Sequence, residues 1–330
     1  MSAIAPMVWR LLRPLHLLPL SLVLAACSTS RPDISAGRPG ATPPPHMAGQ
    51  APRSDETLAQ PAWTHRLAGD SIVLLGEVHD NPEGHRLRLD VLRRAVADGW
   101  RPAIVMEQFD IERQADIERA RRERPRDAQH VVDAAGGGPR STWHWPFYLP
   151  IIELALEHDL PLVAGNLSRA DAGRVVREGY AQALGASRVA ALGLDGPLAA
   201  GLQAAQEREV DVGHCGALPP SMLLPMARAQ FARDAVMADA LRSNAAGGTV
   251  LIAGNGHARR DLGVPRWLGP ALQHRELAVG FLEGEAPSPD AYDVVVEVPA
   301  LPRTDPCLGL QGSVPPAGDG TGATGGQSGR

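Results

Sequence analysis

Apolar and polar positions alternate in two kinds of run along the chain. Ser71-Ile-Val-Leu-Leu75, Ala103–Met106, Pro161–Ala164, Thr249–Ala253, Leu277–Leu282 and Val294–Val298 are short and almost continuously apolar. Runs of that length and texture predict strands buried on both faces. Longer stretches with a 3.6-residue period stand between them. In Pro82–Ala97 the apolar positions Leu87, Val91, Leu92 and Ala95 keep that spacing, and Ile111–Glu123 is a charged amphipathic stretch. Pro150–His158 and Arg169–Tyr180 also predict helices, and a long one opens at Pro219-Pro220, with proline at its first turn, and runs to about Asn244. Strands alternating with helices predict an α/β fold, a mostly parallel sheet flanked by helices. The stretch from about 179 to 245 has no strand signal and reads as a helical insertion or cap.

The two ends break this pattern. Arg10 and Arg13 precede an apolar stretch, Leu15–Ala26, that closes on Leu24-Ala-Ala-Cys27. It is too short and too interrupted by proline to span a membrane, so residues 1–26 read as an export signal. The LAAC ending resembles a bacterial lipobox, which implies cleavage before Cys27 and lipidation of its thiol. Residues 27–60, rich in Pro, Gly, Ser and Ala, then form a tether, and 306–330 a Gly-rich tail. The folded part is expected at 61–305. Export implies an oxidising compartment, in which Cys215 and Cys307 either pair or remain free thiols. A net charge of −5 and a pI near 6.1 argue against a nucleic-acid partner.

The polar residues that follow the apolar runs carry the chemistry. Gly76-Glu77-Val-His79 follows the first, Glu107-Gln-Phe the second, Gly165-Asn166 the third and Gly254-Asn-Gly-His257 the fourth. In an open parallel sheet all these ends lie along one edge, where ligands bind. Glu77 and His79, two apart in extended chain, can both point into that crevice, and His85 can lean over it. Glu77, His79, His85 and His257 are candidate ligands for a divalent metal, and Glu77, His79, Glu107 and His257 candidate acid–base groups. The alternative is that His79 and His257 are hydrogen-bonded core histidines. The chain is only 4% aromatic, yet Trp143-His-Trp-Pro-Phe147-Tyr148 gathers four rings, either a core corner or the wall of a flat ligand site. Gln230, Arg233, Asp234 and Met237 form a stripe along the long helix, either solvated or functional.

Together GEVHDNPEGH, IVMEQFD, the W-x-x-x-x-Y-x-P run Trp143–Pro150, VAGN, HCGALP, AQxxRDxxMA and IAGNGHARRDLGVP resemble the ChaN family, over about Ser71–Leu268. These are bacterial haem-binding lipoproteins assigned to iron uptake. Their superfamily also holds Tiki-type metalloproteases, TraB-like proteins and erythromycin esterases. The resemblance implies haem as cofactor, bound near Tyr148, Trp143 and Phe147 with Tyr148 as the candidate axial ligand. It also implies a possible homodimer, anchored through Cys27 in the cell envelope, at the outer membrane facing the periplasm. Two expectations follow from different classes: an anchored haem binder, or a hydrolase using Glu77, His79, Glu107 and His257.

Overall fold

All six apolar runs become strands, and all of them run parallel in a single sheet. The computed structural model describes residues 63–67, 72–138, 141–273 and 275–308. The expected signal, Cys27 and the tether to residue 60 lie outside the described residues, as does the tail from 309. In chain order the elements are β1 (Ile72–Leu75), α1 (Pro82–Ala97), β2 (Ala103–Asp110), α2 (Gln114–Glu123), α3 (Ala128–Ala134) and α4 (Leu149–Glu157). Then come β3 (Leu162–Asn166), α5 (Arg169–Glu178), α6 (Tyr180–Leu184), α7 (Ala186–Leu192), α8 (Leu202–Gly213) and α9 (Pro220–Ser243). The chain closes with β4 (Thr249–Ile252), α10 (Asn255–Ala258), β5 (Glu276–Leu282) and β6 (Val294–Glu297). The sheet order is β3-β2-β4-β1-β5-β6.

Period-two alternation sends successive residues of the apolar runs into two different cores. Val73 and Leu75 of β1, with Val250 and Ile252 of β4, face a core shared with α1 to α4. Ile72, Leu74 and Leu251 face the opposite core, with Met237, Ala238 and Leu241 of α9. Both faces of the central strands are covered, so their runs are apolar; the edge strand β6 is buried only in part. A third core, built on Val175, Val189, Leu202, Val210 and Phe231, holds the cap helices together. The region from 179 to 245 is helical throughout its regular elements, as expected.

Helix α9 belongs to both bodies of packing. Phe231 and Ala232 sit in the cap core, whereas Met237 and Leu241 lie under the sheet. The helix therefore crosses the strand ends, and its polar stripe arrives there. β2 is longer than its apolar run suggests and carries Glu107 within the strand. Helix α3 has no signal strong enough to announce it from sequence. It is seven residues long and is started by Asp127, whose carboxylate accepts the His130 N–H at 2.9 Å. Cys215 and Cys307 form a disulfide, with Cα atoms 5.5 Å apart. The described fold thus continues past residue 305 and is tied to the cap. No described helix is long and apolar enough to cross a membrane.

Candidate functional site

β1 and β4 are neighbours in parallel register, Leu75 beside Ile252, so the two Gly-x-x-His segments leave the sheet side by side. Each glycine makes room for the other segment. A Cβ on Gly76 would stand 2.2 Å from Asn255 Oδ1, and one on Gly254 would stand 3.1 Å from His79 Nε2. Close approach of this kind is what glycine alone permits. The Asn255 N–H donates to the Glu77 carbonyl at 2.9 Å. Its side-chain amide then pairs reciprocally with the Phe281 backbone of β5, at 2.7 and 3.1 Å. Asn255 thus pins the second segment to the sheet and leaves His257 free to turn toward the cap.

Beneath the first segment lies a buried network. Glu77 Oε1 accepts from His79 Nδ1 at 2.7 Å and from the Tyr148 hydroxyl at 2.6 Å. Its other oxygen faces the guanidinium of Arg88, whose side chain is fully buried. Burial alone would raise the Glu77 carboxyl, but Arg88, His79 and His85 reverse this and hold it at about 2. Arginine can only donate, so the 2.8 Å contact from Arg88 Nη2 makes His85 Nδ1 an acceptor. His85 therefore carries its proton on Nε2 and donates it to the His79 carbonyl at 3.0 Å. Burial and Arg88 push His85 down to about 4, so this imidazole stays neutral.

The second segment is built differently. His257 Nδ1 donates to Asp234 of α9 at 2.6 Å, and its Nε2 lies 3.5 Å from Glu107 Oε1. The second Glu107 oxygen accepts the Gly254 N–H at 2.8 Å. Burial lowers the imidazole's proton affinity, but two flanking carboxylates outweigh it and bring His257 up to about 10. Burial pushes Asp234 up; it would raise Glu107 too, but His257, with His79 and the Gly254 N–H, holds that carboxyl below its ordinary range. His257 is thus a caged imidazolium.

A crevice of about 620 Å³ opens over these strand ends. His79, Glu107 and His257 form its floor, Trp143 and Trp145 one wall, and Asn166, Gln230 and Arg233 the far end. The Trp143 ring meets the His79 imidazole edge-on, centroids 5.0 Å apart. Four of the expected site residues turn away from this space. Glu77 and His85 are buried beneath the floor. Phe147 stacks on His85 at 4.5 Å, and Tyr148 has no exposed surface. Burial and the neighbouring Glu77 carboxylate push the Tyr148 hydroxyl far above its ordinary range.

The expected divalent-metal set is not assembled. Among the described residues no group of three or more His, Cys, Asp or Glu side chains is placed to hold a metal ion. The physical reason is that the donors are already engaged: Glu77 by Arg88 and Tyr148, both nitrogens of His85, and His257 between two carboxylates. His79 is the exception. Its side chain is 51% exposed, and among the described residues its Nε2 has no hydrogen-bond partner.

Two residues essential to this geometry carry weaker sequence signals. Arg88 falls on the same α1 face as Leu92, and a charge inside an apolar stripe is the clue that it is buried with a partner. Asp234 belongs to the stripe on α9, which the structure turns toward the site: Arg233 Nη1 donates to Asn166 Oδ1 at 2.6 Å, and Gln230 and Arg233 line the crevice. Met237 is core.

Residues 63–268 match the model of a family described as haem-binding uptake, Tiki superfamily, ChaN. The fold is similar to that of ChaN of Campylobacter jejuni, solved in a study of its cofacial haem binding. The TM-score is 0.57 at 17% identity, over 70% of this chain and 89% of that one. A mutant of the erythromycin esterase EreC in its open conformation is more distant, with a TM-score of 0.40 at 16% identity, over 66% of this chain and 71% of that one. No curated protein matches the chain in sequence. The family match spans well over half of the chain, with both Gly-x-x-His segments, the aromatic run and α9 inside it: the chain belongs to the ChaN family of haem-binding uptake proteins.

Proposed function

We propose that this chain is a lipid-anchored, haem-binding protein of the bacterial cell envelope that serves haem or iron uptake, with His79 as the iron ligand. The observation that carries the reading is the half-exposed His79 imidazole. Its Nδ1–H is held by the buried Glu77 carboxylate, while Nε2 faces an aromatic-walled crevice. A carboxylate on the far ring nitrogen, fixing orientation and tautomer, is what a metal-ligating histidine requires. The volume lies in the range of small-molecule and cofactor sites, and Trp143 offers the flat apolar surface a tetrapyrrole needs. Bound haem would supply the iron; the chain's own residues orient the imidazole and wall the ring.

The test is the visible spectrum of the full chain titrated with haemin. His79→Ala should abolish the ligated spectrum, and Tyr148→Phe should leave it intact. The opposite pattern would return the role to Tyr148. A homodimer closing the open crevice is tested by sizing the protein with and without haemin. Anchoring rests on the LAAC sequence, so Cys27→Ser should abolish lipid labelling and release the protein from membranes.

A second reading is favoured by one observation. The Glu77–His79 pair faces a protonated His257 across the same floor, a base beside a fixed cation, as acyl-ester hydrolysis uses. Turnover of a panel of carboxylic esters by haem-free protein, lost in His79→Ala, would establish it.

A further inference from the structure

The far end of the crevice, away from Trp143, differs in chemistry from the rest. We infer that Arg169 and Arg233 form a carboxylate-binding end that takes the acidic side chains of the bound tetrapyrrole; this rests on the haem reading above. Arg233, on α9, is held in place by its Nη1, which donates to Asn166 Oδ1 at 2.6 Å and to the Leu167 carbonyl at 3.0 Å. Among the described residues its Nε and Nη2 have no hydrogen-bond partner, and the side chain lines the crevice. Arg169, the first residue of α5, lines the same end and is exposed, without a hydrogen bond or ion pair among the described residues.

Two arginines close by are already engaged. Arg174 meets Asp171 and Glu178, and Arg113 meets Asp116. Two guanidiniums with unused donors, one pre-set by Asn166, are suited to paired recognition of carboxylate oxygens. Asp110 also lines this end and opposes an anion. Burial raises its carboxyl above the ordinary range, while the facing Arg233 and Arg113 favour its ionised form and offset that charge.

The sheet order sets the span. His79 rises from β1 and the arginines stand at the β3 edge, three strand positions away, roughly 14 Å at the usual strand spacing. A flat ring resting on Trp143 with its centre at His79 would span part of that distance, with its acidic arms turned toward that edge. An arginine side chain reaching inward covers the remaining gap.

The experiment uses the full chain with metal-free protoporphyrin IX and its dimethyl ester, followed by quenching of tryptophan fluorescence. The wild type should bind the diacid about tenfold or more tightly than the diester, the scale of one charge-assisted hydrogen bond. Arg169→Gln should lose that preference by weakening the diacid alone. Arg233→Gln should do the same, with a thermal melt to register the loss of its Asn166 contact. A wild type without preference, or an Arg169→Gln variant that keeps it, overturns the inference. Metal-free porphyrin leaves iron ligation out, so a failure here is distinct from a failure of the His79 spectrum test with haemin.

Discussion

His79 and His257 end neighbouring strands in matching Gly-x-x-His segments, yet the fold treats them in opposite ways. His79 rests one nitrogen on a buried carboxylate and leaves the other open, on a side chain 51% exposed. The His257 side chain is 15% exposed and is clasped at both nitrogens, by Asp234 and Glu107. The difference comes from what stands opposite. α9 delivers a carboxylate to His257, while Glu77 already has Arg88 and Tyr148 beneath His79. One motif thus yields an available imidazole and a structural cation, and motif matching alone cannot tell which is which.

The strongest way to break this comparison is His257→Ala. It leaves Glu107 and Asp234 buried without the cation between them, which should cost about 3–5 kcal/mol of stability in denaturant melts. A loss near zero would mean that His257 is not a caged cation. Tyr148→Phe comes next: removing a buried donor to an ionised carboxylate should cost about 1.5–3 kcal/mol in the same assay.

The pH dependence has a definite sign. His257 binds its proton more tightly folded, at about 10, than at its ordinary 6.5. Its contribution is complete below about 6.5 and is lost as pH rises through about 10, with a slope of at most about 1.4 kcal/mol per pH unit. Stability should therefore fall between pH 7 and 10, and His257→Gln should flatten that fall. The smallest effect is expected of His79→Ala. Its ring is half in water and Glu77 keeps Arg88, so stability should change by less than about 1 kcal/mol. A large loss would place His79 in the core after all.

The strands and most helices were legible because a parallel sheet buried on both faces writes itself as unbroken apolar runs. α1 matches its periodic stretch from Pro82 to Ala97, with Asn81 accepting the Gly84 N–H at its start. The convergence of His79, Glu107, Asn166 and His257 followed from strand-end geometry. Depth was not legible. Glu77 and His79 are two residues apart, and the buried Arg88 and Tyr148 decide that Glu77 turns down into the core. The aromatic run divides likewise: Trp143 faces the crevice while Tyr148 faces Glu77, because the turn before α4 rotates successive rings apart. The pairing of Cys215 with Cys307 depended on where the chain runs after β6, which local pattern does not encode.

That final run has a consequence in time. After β6 the chain passes Asn81, which donates to the Pro299 carbonyl at 2.8 Å, and places Arg303 on Asp80 at 2.6 and 2.7 Å before reaching Cys307. A chain made from its N-terminus completes β1 to β6 and the cap before any of these contacts can form. The loop that carries His79 is therefore fastened last, by residues that contribute nothing to the crevice itself. A chain cut short after β6 would hold every crevice residue in its sequence and lack the fastening.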